Sequence, residues 1–194
     1  MVITIQQLLE QYSNYADPKG KISRDVKNGK LFPIVRGLYE AEKNTAGEKL
    51  AQFIYGPSYL SFDYALYKYD LIPEAVYTYT CATFNKRKRK MYTNQFGAFI
   101  YQDVPKEVFS FGVKYVKDGN YSYQIASPEK AICDKLYTLS PVKSIKNLKI
   151  LLFEDLRTDE YDFEKLDKNE ILKFAPLYKS TNLNLLAKLV KGDK

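Results

Sequence analysis

Histidine and tryptophan are missing from this chain of 194 residues, and cysteine and methionine occur only twice each. The lack of histidine removes the commonest general base near neutral pH and the commonest metal ligand. Cys81 and Cys133 lie far apart and form no Cys-x-x-Cys pair, so they are expected as buried thiols rather than as a disulfide or a metal site. No run of about 18 apolar residues occurs, nor a charged start followed by an apolar segment, so the expectation is a cytoplasmic protein without a membrane partner. A glycine-rich phosphate loop is also absent, because Gly56-Pro57-Ser58 carries no lysine at the required spacing. The Gly-Ser turn with paired acids that a nucleotidyltransferase needs to hold two metals is not found. Ser61 and Ser127 lack the usual activating base. The sequence therefore predicts no catalytic residue, no metal, no cofactor and no enzyme. One weak exception stays open: Asp17-x-Lys19 and Asp25-x-Lys27 repeat the two-residue core of a metal-dependent nuclease signature, without the upstream acid that would complete it.

What is present describes a folded, basic chain. Hydrophobic residues make up 45%, with 18 Tyr and 11 Phe, enough for a substantial core. The net charge of +7 permits a polyanionic partner without requiring one. A polar, aperiodic stretch from Glu40 to Gly47 suggests a junction, which divides the chain into residues 1–44 and 45–194.

The first part is rich in stop and start signals. Thr4 and Gln7 make a capping box ahead of Ile5, Leu8, Leu9 and Tyr12, which recur at helical spacing. Asp17 and Pro18 open a second helix and Gly29 closes it. Ile22 and Val26 fall on its inner side, while Lys21, Ser23, Arg24, Lys27 and Asn28 spread over the other. A short hairpin follows, Leu31 to Ile34 and Leu38 to Ala41, with Arg36 at its tip. The stripe of the first helix is expected to pack on Ile22, Val26, Leu31 and Leu38. Between Lys19 and Arg36 there are six basic residues against one acid, Asp25. A donor-rich helix and a basic hairpin make the layout of a winged helix-turn-helix, whose helix enters a major groove and whose wing reaches the backbone. The candidate DNA-binding residues are Lys21, Ser23, Arg24, Lys27, Asn28, Lys30 and Arg36.

The second part reads as mixed α/β, so the fold class is α+β. Helices are expected over Glu48 to Tyr55 and, capped by Ser58, on through Tyr69. Four strands follow, at Ala75 to Phe84, Ala98 to Gln102, Phe109 to Lys117 and Tyr121 to Ala126, in a small and mostly antiparallel sheet. Asp118-Gly119-Asn120 joins the last two as a hairpin. Between the first two lie Lys86, Arg87, Lys88, Arg89 and Lys90, either a secondary basic patch for a nucleic-acid backbone or a solvated connection. Ser127 and Pro128 begin a helix that runs to Pro141. Leu148, Leu151 and Leu152, then Ile171, Leu172 and Ala175, then Leu183, Leu186, Leu189 and Val190 mark three more. The acidic stretch Asp155 to Asp167 between them reads as a loop.

Several blocks together resemble the AbiE-type antitoxins (the AbiEi family). They are Lys21-Ile22-Ser23-Arg24, Lys27-Asn28-Gly29-Lys30-Leu31, Arg36-Gly37-Leu38-Tyr39, Gly56-Pro57-Ser58-Tyr59-Leu60-Ser61, Phe111-Gly112-Val113, and Ile125-Ala126-Ser127-Pro128-Glu129-Lys130-Ala131 with Asp134-Lys135-Leu136-Tyr137. The resemblance covers residues 3 to 155. It implies an antitoxin of a type IV toxin-antitoxin, abortive-infection module involved in phage defence. Its N-terminal part would bind double-stranded DNA at inverted repeats in its own promoter as a transcriptional repressor, and its C-terminal part would counter a nucleotidyltransferase toxin, by direct contact or indirectly. The alternatives are an antitoxin or adaptor acting by protein contact with little DNA binding, and the metal-dependent nuclease.

Overall fold

Thr4 and Asp17 set the first two helices as their side chains suggest. In the computed structural model, which describes residues 1–192, the Thr4 hydroxyl accepts from the Gln7 N–H while the Gln7 side chain accepts from the Thr4 N–H, and α1 runs Ile5–Gln11. The Asp17 carboxylate accepts from the Gly20 N–H, and α2 runs Pro18–Lys27. Gly29 then takes φ +66°, a left-handed conformation that lets the chain turn back. Leu8, Ile22 and Leu31 form a small core of their own, with Ile3, Ile5, Leu9, Tyr12, Val26 and Tyr39 around it.

These helices lie with a three-stranded antiparallel sheet in the order β1-β3-β2, made of β1 (Val2–Thr4), β2 (Phe32–Val35) and β3 (Leu38–Glu40). Alternation along β3 corrects one expectation. Tyr39 turns toward the small core, whereas Leu38 packs with Val2, Phe32 and Ile34 on the larger core of the second part. The junction predicted near residue 44 falls in an irregular loop, yet the two parts share a packed seam. The Asn94 side-chain amide donates to the Ile34 carbonyl at 2.9 Å, and the Tyr121 hydroxyl donates to the fully buried Glu40 carboxylate.

The second part is built on a six-stranded mixed sheet in the order β6-β7-β5-β4-β9-β8. Its strands are β4 (Tyr59–Leu60), β5 (Thr78–Thr83), β6 (Lys90–Asn94), β7 (Gly97–Asp103), β8 (Val113–Asp118) and β9 (Tyr121–Ala126). The sheet is larger than predicted: three of its five pairings are antiparallel, while β5 with β7 and β4 with β9 are parallel. The Gly119-Asn120 turn joins β8 to β9 as expected, with Asp118 opposite Tyr121. Other boundaries moved. Ser58 caps no helix: its hydroxyl is buried without a partner among the described residues, and Tyr59 and Leu60 enter the sheet centre. The expected strand at Phe109 is delayed to Val113 by a short 3-10 turn at Lys106–Val108. The helix expected over Glu48 to Tyr55 is a 3-10 turn followed by α3 (Ala51–Ile54).

Helices α4 (Phe62–Lys68) and α5 (Pro128–Tyr137) pack against each other, and α5 also meets α8 (Lys168–Phe174) and α9 (Thr181–Lys191). Helix α6 (Ile145–Lys149) runs on into a π-helical turn through Asp155. The acidic stretch read as a loop contains α7 (Glu160–Glu164), with Phe163 and Leu166 buried. Its acids have local work, since Asp159 and Asp167 accept from the first free N–H groups of α7 and α8.

One polar cluster joins these pieces. Lys130 and Asp134, one turn apart on α5, are both fully buried, with Nζ to Oδ1 at 3.0 Å. Asp134 accepts from the Tyr59 hydroxyl at 2.9 Å, the Ser61 hydroxyl at 2.7 Å and the Tyr178 hydroxyl at 2.5 Å. Lys130 donates to the Val108 carbonyl at 3.0 Å and to the Tyr178 hydroxyl at 2.7 Å. Burial, reinforced by the Asp134 charge, pushes both tyrosines well above the ordinary phenol range, so they remain neutral donors. Gly112 makes room for the lysine stem: a Cβ there would meet the Lys130 Cβ at 2.9 Å, and its φ is +61°. Removing one member of a buried ion pair costs about 3–5 kcal/mol, while losing a single buried hydroxyl costs about 1–3 kcal/mol. In urea unfolding, Asp134→Ala is therefore expected to lose about 3–5 kcal/mol and Tyr178→Phe less. A loss below about 1 kcal/mol for Asp134→Ala would show that the cluster does not hold the fold.

Candidate nucleic-acid interface

Helix α2 separates its charges by face. Ile22 and Asp25 are buried and Val26 is half-buried, while Lys19, Ser23, Arg24, Lys27 and Asn28 are exposed. Asp25 is the surprise, because its spacing from Ile22 puts a carboxylate among apolar side chains. It is held there by Lys21, whose Nζ lies 2.5 Å and 2.6 Å from the two carboxylate oxygens, and by the Tyr12 hydroxyl at 2.8 Å. Its main-chain carbonyl accepts from the Lys30 N–H at 2.8 Å, which fastens the exit from α2. The hydrogen bond from Lys21, followed by that from Tyr12, outweighs burial and keeps the Asp25 carboxyl below its ordinary range. The hydrogen bond to Asp25 likewise raises both the Lys21 ammonium and the Tyr12 phenol.

The seven candidate residues divide accordingly. Lys21 is spent internally: its charge is paired with Asp25, and its Nζ sits 5.1 Å from the Tyr12 ring centroid and 5.7 Å from that of Tyr15. Ser23 is exposed, but its hydroxyl donates to the Lys19 carbonyl at 3.1 Å. Arg24 and Lys27 stand one turn apart in the last turn of α2, where cations suit the helix dipole. Asn28 forms the C-cap and Lys30 is exposed just beyond it. Arg36 is exposed at the hairpin tip beside Gly37, whose φ is +83° and whose carbonyl accepts from the Ile5 N–H at 2.8 Å. Among the described residues, Arg24, Lys27, Lys30 and Arg36 form no ion pair within the chain. Asp25 and Tyr12 were missed as organisers of this surface. The Lys21-x-x-x-Asp25 spacing was the only available signal, and it looked like an ordinary exposed pair.

The second basic run, expected as either a backbone-binding patch or a solvated connection, is exposed at four of its five residues. Lys86 folds back, donating to the Gly56 carbonyl at 3.0 Å with its Nζ 4.9 Å from the Tyr55 ring centroid, and Lys90 begins β6. Arg87, Lys88, Arg89 and Lys90 are exposed. The two nuclease-like pairs place their acids elsewhere, with Asp17 on the Gly20 N–H and Asp25 on Lys21. Among the described residues no group of three or more His, Cys, Asp or Glu side chains could hold a metal ion, and no helix is long and apolar enough to cross a membrane. Cys81 and Cys133 are buried and unpaired, and burial raises both thiols.

Asp25 and Glu40 titrate in the same sense. At Glu40, burial acts to raise the carboxyl, but the N-terminal amine, the Tyr121 hydroxyl and the Glu42 N–H overcome it and leave it lowered. A carboxyl lowered by folding contributes stability that is present above its unfolded pKa and is lost as pH falls through the folded value. Acidification below the ordinary carboxylate range is thus expected to lower amide-exchange protection factors in α1 and α2, and Asp25→Asn to lower them already at neutral pH while shrinking the acid-dependent step. Exchange in these helices unchanged by Asp25→Asn would contradict the assignment.

No protein-family model matches the chain, and no curated protein matches it either.

Proposed function

We propose that residues 1–44 are a winged helix-turn-helix that binds duplex DNA, with α2 in the major groove and the Arg36 hairpin on the adjacent backbone. The observation that carries this reading is the set of four cations, Arg24, Lys27, Lys30 and Arg36, exposed on α2 and from there to the hairpin tip without an ion-pair partner among the described residues. Free cations next to a capped helix end are the groups that displace counterions from phosphates, while Ser23 and Asn28 supply polar edges. Following the resemblance to AbiE-type antitoxins, the DNA is the inverted repeats of the chain's own promoter. The protein then acts as an autorepressor and as the antitoxin of a nucleotidyltransferase toxin. The seam through Ile34, Leu38 and Glu40 supports the coupling of the two tasks, because it ties the DNA-facing sheet to the larger part.

The test is the affinity of the full chain for duplex DNA from its promoter region as salt is varied. With about four phosphate contacts, affinity is expected to fall on the order of a hundredfold between 50 and 200 mM salt. Arg24→Glu with Lys27→Glu should abolish binding. Arg24→Ala should reduce the salt slope by about one. Unchanged affinity in the double variant contradicts the site.

A further inference from the structure

The loop Asn85 to Arg89 is more ordered than a solubilising run needs to be. Asn85 and Arg87 take left-handed φ of +56° and +60°, which aims the Lys86 and Arg87 N–H groups in one direction. Both donate to Asp103 Oδ2, each at 2.7 Å, while Thr83 donates to Oδ1 at 2.6 Å. Asp103 ends β7 opposite Thr83 in the parallel ladder, so the sheet itself fixes the carboxylate that fixes the loop. Arg87, Lys88 and Arg89 then line an open cleft of about 620 Å³. Lys135 on α5, paired with Asp63 at 2.6 Å, lines it too, and half-buried Ile100 contributes apolar surface.

The local charge balance favours an anion. Asp63 neutralises Lys135 and the Asp103 oxygens are taken by N–H and hydroxyl donors. Among the described residues, Arg87, Lys88 and Arg89 have no carboxylate partner. Holding three like charges together costs free energy through repulsion, and the Asp103 anchor keeps them converging on one cavity instead of letting them spread. Guanidinium forks suit phosphate oxygens, and the volume falls within the range of small-ligand sites. An apolar patch within the same cleft suits a base or sugar more than a bare phosphate.

We propose that this cleft binds a nucleoside polyphosphate, its phosphates on Arg87, Lys88 and Arg89 and its nucleoside against the apolar surface at Ile100. The site is separate from the α2 surface and does not depend on the DNA reading. Calorimetric titration of the full chain with ATP should give saturable binding of one ATP per chain. Arg87→Ala with Arg89→Ala should weaken it at least tenfold. Lys114→Ala with Lys117→Ala, which removes two exposed cations from β8, and Arg24→Glu with Lys27→Glu should leave it unchanged. Pyrophosphate should bind at least tenfold more weakly than ATP. No saturable ATP binding, an unchanged affinity in the Arg87/Arg89 variant, or binding of a ten-nucleotide single strand without ATP binding would each overturn the site. Pyrophosphate binding as tightly as ATP would overturn the nucleoside assignment. Arg87 and Arg89 are exposed, so thermal unfolding is expected to match the unsubstituted chain and to separate lost binding from lost folding.

Discussion

A buried carboxylate is tolerable only when its lone pairs are satisfied, and that constraint organises the larger part of this molecule. Asp134 gathers hydroxyls from Tyr59 and Ser61 at the sheet centre and from Tyr178 near the C-terminal helices, while Lys130 returns the charge and reaches the Val108 carbonyl. Segments separated by more than a hundred residues in sequence thus meet at two side chains of one helix. Because Lys130 and Asp134 are both fully buried, an imperfect arrangement would be costly. The cluster therefore selects one placement of α5 against β4 and the C-terminal helices. That placement also brings Lys135 and Asp63 to the cleft beside the Arg87 loop.

The N-terminal part repeats the logic on a smaller scale. Its core is modest, three fully buried apolar residues with a half-buried ring around them, so Asp25, Lys21 and Tyr12 add a polar clasp. The clasp settles which cations are available. Lys21 is drawn inward, and the charges left facing outward are Lys19 before it and those after it on the helix and hairpin. Stability and surface potential are linked here through one carboxylate, and the proposed DNA-facing surface is the remainder once internal pairing is complete.

Local chemistry made much of this legible. The Thr4 and Asp17 caps, the Gly29 stop, the Arg36 hairpin, the Gly119-Asn120 turn and the Ser127-Pro128 start each depend on neighbours within a few residues, and the structure has all of them. What stayed hidden depends on distant partners. Val2–Thr4 and Tyr59–Leu60 are too short to show a period of two, and they are strands only because β3, β5 and β9 offer them edges. Asp25 and Asp134 look like surface acids beside a lysine four residues away, and only the tyrosines contributed from elsewhere make them interior. The acidic stretch around α7 misled for the opposite reason, since its charges cap helices while Phe163 and Leu166 supply the burial.

The most direct test of the functional account is amide hydrogen exchange of the full chain with and without duplex DNA from its own promoter region. The account requires slowed exchange concentrated between Lys19 and Arg36, with the Lys86 to Lys90 loop and α9 unaffected. Exchange slowed only outside that stretch, or a chain indifferent to duplex DNA at low salt, would contradict it.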